Sequence, residues 1–468
     1  MSQRHFRVGR PPNLPRRRTA RTEIDLADIQ GNVLRGYTHR SAAYLWLHVE
    51  DRERGRALLG RMLPRISTAA PWPGERPASV MNLAFTYEGL AAMGVDDHVL
   101  ASFPEEFREG MAARAERLGD RGPSAPEYWE EGLGTGRAHV LVTLYADDGD
   151  GLETARAELR DVGAAGAITI VNEQRAEALP GGRDHFGFFD GIAQPAVEGG
   201  GISPRPGDGQ PDGAGGWRPV RTGEFLLGHE DEDGRLPDAP AAPFDRNGTF
   251  AVYRKLAMDA AVFRRWVGEQ GDRYPGGPEM LAAKVVGRWR DGTPLVKSPE
   301  RPDPSLVADP ARINDFAYGG DSDGRRCPLG AHIRRANPRE AEGFFGGRLS
   351  NRHRIIRRSR AYGPELAEGA KEDDGVERGL VFLCFNASIW RQFETIQALW
   401  VDDGDPFGLG PDKDFLIGQP GDDGGGKMTI QGDPPHFLRP QPRFVTLRGG
   451  EYLYRPSITG LRWLAGAL

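Results

Sequence analysis

The chain predicts an α+β architecture, antiparallel sheets carrying helices on one face, laid out as two similar halves. Two observations carry that prediction. Short apolar, strand-like runs recur along the chain, and several feed directly into stretches whose apolar residues repeat at helical spacing. The 468 residues also leave room for two or three domains, or one large one, with a sizeable buried core.

In the first half, "AAYLWLHV" (42–49) reads as a strand and "DRERGRALLGRMLPRI" (51–66) as the helix after it. "SVMNLAFT" (79–86) is a second strand. "AHVLVTLYA" (138–146) leads into the amphipathic, acid-started helix "DGLETARAELRDVG" (150–163), and "AITIVNEQRAEAL" (167–179) closes the set. Strand–helix–strand taken twice is the order of a ferredoxin-like sandwich. Residues 199–223 are almost all turn formers and read as a Gly/Pro-rich linker loop. Beyond it, "GTFAVYRKLAM" (248–258) precedes the helix "DAAVFRRWVGEQ" (259–270). "LVFLCFNA" (380–387) precedes "SIWRQFETIQALW" (388–400), and "GEYLYRPSI" (450–458) with "TGLRWLAGAL" (459–468) ends the pattern. The expected organisation is a disordered basic tail over 1–22, a ferredoxin-like domain over 23–198, the linker, and a second ferredoxin-like domain over 224–468. Their sheets are expected to pack together beside a cavity.

Charge and cysteine content narrow the classes. A net charge of −6 gives no basic excess of the kind nucleic-acid binders carry. Seven arginines crowd residues 1–22 without an acid, a solvated tail rather than a recognition arm. No window approaches the roughly 18 apolar residues a membrane helix needs. The two cysteines, Cys327 and Cys384, form neither a CxxC pair nor a disulfide framework, so a cytoplasmic setting is expected.

Three stretches hold candidate chemistry. "GFFDGIAQP" (187–195) places Asp190 among aromatic rings and glycines; Asp-Gly makes a turn, but a turn needs neither Phe188 nor Phe189. "CPLGAHIRRANPR" (327–339) sets His332 beside arginines, whose charge favours the neutral imidazole that a metal requires. The plainer alternative there is a surface loop with exposed arginines. "HRIIRRSRAYG" (353–363) carries Arg357 and Arg358 after two isoleucines, so one guanidinium turns inward and needs an anion, for which Asp190 is a candidate. HExxH, CxxC, Walker and GxSxG patterns are all missing from the sequence.

With these stretches assembled, the chain resembles the dye-decolorizing peroxidase family of haem enzymes. The likeness runs through "DIQGNVLRGY" (28–37), "HFGFFDGIAQP" (185–195) with its GxxDG signature, "GEFLLGH" (223–229) and "KVVGRWRDGTPL" (284–295). It continues through the His332 and Arg357 stretches, "GLVFLCFNASIWRQFETIQ" (379–397) and "GGEYLYRPSITGLRWLA" (449–465). His229 departs from the tyrosine that often ends the third motif, without touching a catalytic position. The resemblance implies haem b held mainly by the C-terminal domain, with His332 as the iron ligand, Asp190 as the distal acid and Arg357 as the distal arginine. It implies that Glu394 is the carboxylate bonded to His332, and that Leu380 and Phe382 wall the distal side. Hydrogen peroxide and an aromatic reductant are the implied substrates, and a homo-oligomer such as a dimer the implied assembly. In this scheme Asp190 moves the peroxide proton and Arg357 stabilises charge as the O–O bond breaks, with an acid pH optimum. Two other readings remain: a haem-handling protein without turnover, and a cofactor-free module capturing a small anion.

Overall fold

The computed structural model describes residues 24–163, 166–212, 214, 216–340, 347–420 and 426–467; the expected basic tail over 1–22 lies outside them. The first half contributes strands β1 (Ser41–Val49), β2 (Ser79–Phe85), β3 (Val140–Ala146) and β4 (Ile168–Glu177), with helices α1 (Arg52–Met62) and α2 (Gly149–Gly163). The second contributes β5 (Thr249–Met258), β6 (Ile356–Arg357), β7 (Arg360–Tyr362), β8 (Gly379–Asn386) and β9 (Val445–Arg455). Its helices are α3 (Ala260–Gly271), α4 (Gly277–Val286), the short α5 (His332–Ala336) and α6 (Ile389–Val401), the last wound as a π-helix.

Helix starts follow local chemistry. Asp51, Asp259 and Ser388 each accept a backbone N–H from the first turn of α1, α3 and α6. The strands β1 and β3 lack a polar alternation because both of their faces are covered. Ala43, Leu45 and Leu47 of β1 pack towards Leu58, Leu59 and Leu152 on the helical side. Tyr44 and Trp46 point the other way, where Trp46 meets Tyr253 of β5 at 4.9 Å between ring centroids.

The strand order is β4-β1-β3-β2-β9-β5-β8, with β6 and β7 both on the outer edge of β8. Each half thus repeats the antiparallel order of a ferredoxin-like sheet. The two half-sheets pack face to face, as the sequence predicts, and they are also joined edge to edge into one nine-stranded sheet. The seam is narrow. Among the described residues only Phe85 and Tyr454 pair across it, and the Gln30 side chain supplies the missing ladder bonds, donating to Leu83 O and Pro456 O and accepting from Leu83 N.

The stretch 199–223 is more ordered than its composition suggests. Gln210–Pro211 pairs with Trp217–Arg218, and Asp208 accepts a hydrogen bond from Asn314 at 3.1 Å. Among the described residues no helix is long and apolar enough to cross a membrane.

Candidate active site

The alternation of β8 creates one wall of a cavity. Val381 and Leu383 face the space between the half-sheets, leaving Leu380 and Phe382 on the opposite face. Together with Leu256, Met258, Val445 and Leu447 from β5 and β9, they form the apolar floor of a cavity of about 290 Å³. Helix α6 covers it with Phe393, Ile396 and Val401, and the segment 184–195 closes one side. Asp190, Arg357 and His332, far apart in sequence, all line this one space.

Asp190 and Arg357 approach to 3.5 Å between Oδ1 and Nη1. Both also line a second, polar cleft with Asn32, Tyr37 and Tyr145, so the pair stands where two spaces meet. Asp190 is held by its backbone N–H, which donates to Gly182 O, and by Gly191 N–H, which donates to its Oδ1 at 2.6 Å. Gly187 and Gly191 on either side both have positive φ, +89° and +80°, which explains the glycines of the signature by backbone conformation. Phe188 is buried in the wall; Phe189 lies partly exposed at the rim. On β6, the Arg357 backbone N–H donates to the Gln194 side chain at 3.0 Å, tying the two distal segments together.

His332 opens helix α5, and its Nδ1 lies 2.8 Å from Asp414 Oδ2. An ionised carboxylate can only accept, so Nδ1 carries the hydrogen and Nε2 is left with its lone pair. Burial pulls the His332 pKa down, but the charge and hydrogen bond of Asp414 outweigh it and hold the pKa above the usual histidine value, against Arg357 and with help from Asp190. For Asp414, burial pushes upward, yet His332, the Ile417 N–H and Arg335 hold the carboxyl below the usual range. Its Oδ1 accepts from Leu416 and Ile417 N–H at 2.9 and 3.0 Å, fixing the carboxylate before it meets the imidazole.

The expected partner of His332 was Glu394, and the structure corrects this. Glu394 sits on the face of α6 turned to the first half, where it accepts from Tyr452 Oη at 2.9 Å and from Arg114 Nη2 at 2.7 Å. Arg117 adds a third contact at 3.2 Å. Neighbouring helix positions project in different directions: Phe393 reaches the cavity and Glu394 does not.

The arginines beside His332 also turn away from the cavity. Arg334 is spent on Asp321 and Cys327 O, and Arg335 on the carbonyls of Trp400, Asp403 and Asp412. They form neither a surface loop nor a shell around a ligand. The basic end of the cavity is built instead by Arg288, Arg339 and Arg354. Arg288 and Arg339 share the Asn314 side chain and nearby carbonyls. Arg354 is 9% exposed, and the one described hydrogen bond of its guanidinium is a long one to Asp208 O, 3.5 Å. Burial, helped by the like charges of Arg339 and Arg357 and opposed by Asp208, lowers its pKa to about 10.

One sheet shared by two ferredoxin-like halves thus carries a cavity with an anchored imidazole and an Asp–Arg pair. Residues 28–180 match the family model described as the DyP dimeric alpha+beta barrel domain. A dye-decolorizing peroxidase of Mycena epipterygia is 32% identical over 98% of this chain and 91% of that protein. A solved structure of an ancestral D-type dye decolorizing peroxidase superposes with a TM-score of 0.82 at 31% identity, covering 94% of this chain and 99% of that one. A dye-decolorizing peroxidase solved in complex with 2,6-dimethoxyphenol gives 0.81 at 29% identity, covering 94% and 100%. The chain belongs to the dye-decolorizing peroxidase family, whose members are haem enzymes, and is a peroxidase of that type.

Proposed function

We propose that the cavity holds haem b, that His332 Nε2 is its iron ligand, and that the chain uses hydrogen peroxide to oxidise dyes, phenolics or similar aromatic reductants. The residues fit that group. The imidazole is held in the tautomer a metal needs, the floor and cover are apolar, and the guanidinium groups of buried Arg288 and Arg354 and of half-buried Arg339 are available to pair with the carboxylates of a porphyrin. Among the described residues Arg354 forms no ion pair, its guanidinium reaching only Asp208 O at 3.5 Å. When bound, haem supplies the redox-active iron that takes oxidising equivalents from peroxide and passes them to the reductant.

The protein's own part is proton handling and charge. Asp190 removes the proton from one peroxide oxygen and returns it to the other, so the oxygen that departs leaves as water. Arg357, 3.5 Å from Asp190, orients the peroxide and stabilises negative charge while the O–O bond breaks. Leu380, Phe382 and Phe188 keep bulk water from the reacting oxygens. Asp414 makes the imidazole a stronger donor, the role first expected of Glu394. In this reading the unit 224–468 supplies His332, Arg357 and most of the wall, and 23–198 supplies Asp190.

The observation that carries the proposal is the convergence of the Asp190–Arg357 pair and the Asp414-anchored His332 on one cavity. A haem-handling protein would use the imidazole but has no need of the pair. Peroxide-dependent dye oxidation by wild type, Asp190→Asn and Arg357→Leu, at equal haem loading and across pH, tests it. Wild type should turn over best below neutrality, with each variant slowed at least 100-fold. Three equally inert proteins would support haem handling instead.

A further inference from the structure

The loop that presents Asp190 is latched from inside. The Asp184 backbone N–H donates to Phe188 O, Gly187 N–H donates to Asp184 O, and Phe188 N–H donates to Asp184 Oδ1, each at 2.9 Å. Asp190 N–H then donates to Gly182 O, closing the loop just outside that latch. Asp184 also lines the cavity, so two carboxyl groups six residues apart face the same enclosed space. Only Oδ1 of Asp184 takes part in the latch.

We propose that Asp184 is a positioning residue for Asp190: its side-chain oxygen latches the loop that carries Asp190, and its carboxyl holds a proton beside that acid. The inference rests on the reading of Asp190 as the proton carrier. Two carboxylates in a low-dielectric space resist ionising together, and differing environments decide which one keeps its proton. Asp190 is partly exposed at the meeting of two spaces and lies beside Arg357. Among the described residues Asp184 has no guanidinium within ion-pairing distance. Arg290, the cation closest in effect, is engaged by Glu279 and by Phe186 O, and Arg183 donates to Gly187 O. Burial pushes the Asp184 pKa up to about 6, opposed by the Phe188 and Phe186 N–H groups and reinforced by the charge of Asp190. The protonated carboxyl keeps the acceptor that Phe188 requires, so the latch survives in either state.

Three variants separate latch, charge and catalysis. Asp184→Asn retains an acceptor but cannot titrate, Asp184→Ala removes both, and Asp190→Asn removes the proposed proton carrier. Infrared titration of the isotope-labelled aspartates in the haem-loaded protein should show a carboxyl ionising near pH 6 in wild type. That signal should vanish in Asp184→Asn and shift to lower pH in Asp190→Asn. The rate constant for reaction with peroxide should carry a pH step centred near 6 in wild type. Asp184→Asn should erase the step while keeping at least a third of the rate at pH 5, and Asp184→Ala should lose tenfold or more. A titration signal that survives Asp184→Asn, or a pH step unchanged by it, overturns the inference even if Asp190→Asn is inactive. A fully active Asp190→Asn overturns the underlying reading instead, whatever the titration shows.

Discussion

The tether between Asp414 and His332 makes a sharp prediction about Asp414→Asn. The substituted amide keeps its oxygen towards Leu416 and Ile417 N–H, because both donors are fixed at 2.9 and 3.0 Å. Its NH2 then faces Nδ1 of His332, where the carboxylate stood at 2.8 Å. Two donors cannot share that contact, so the ring must move its hydrogen to Nε2, the atom proposed to meet iron. The lost bond is charge-assisted and worth about 1.5–3 kcal/mol, and at about 1.4 kcal/mol per factor of ten this weakens haem binding roughly 10–100-fold. That range matches what loss of a ligand's outer partner usually costs. Titrating apo-protein with haem and following the Soret band measures it directly. Glu394→Gln is the control: it should leave haem affinity within twofold. It should lower unfolding stability by about 3 kcal/mol, the low end for a broken buried pair, because Arg114 also reaches Glu109 and Arg117 is partly solvated. If Asp414→Asn binds haem as wild type does, or Glu394→Gln alone weakens it, the assignment of the tether is wrong.

Two further outcomes follow from buried charge. Arg354→Met should make the apo-protein more stable by about 1 kcal/mol, since an unpaired buried cation is replaced by an apolar chain, while weakening haem binding about tenfold; denaturant unfolding and the same Soret titration report both. Glu451, buried on β9 with Gly134 N–H at 2.6 Å, has its pKa raised to about 8 by burial. The folded state then holds a proton that the unfolded chain releases near 4.5, so stability is greatest at low pH and falls as pH rises towards 8. The slope from this group is at most about 1.4 kcal/mol per unit, and Glu451→Gln should flatten the urea midpoint between pH 5 and 8.

What the sequence made legible follows from range. The strands β1, β3 and β8 stood out because both faces are buried, which leaves an unbroken apolar run. Strands β6 and β7, two and three residues long and rich in arginine, have no period to read. Helix α4 starts at a Gly-Gly-Pro sequence that reads as a turn. His332, Asp190 and Arg357 carry recognisable neighbours, but the Asp414 tether crosses 82 residues and lies in a loop without a pattern of its own. Which arginines face the cavity was equally hidden: Arg334 and Arg335 are adjacent to His332 yet belong to the scaffold, while Arg288 and Arg354 come from distant segments.

The place of β9 in the sheet carries a consequence for how the molecule is made. It is the last strand of the sheet to leave the ribosome, and it lies between the halves, flanked by β5 and β2. Until it arrives, β5 has one bare flank and the two half-sheets lack their edge-to-edge join. Assembly therefore waits on a long-range closure rather than proceeding unit by unit. Shortening the chain ahead of Val445 would strip Val445 and Leu447 from the cavity floor and leave two sheets without their common member.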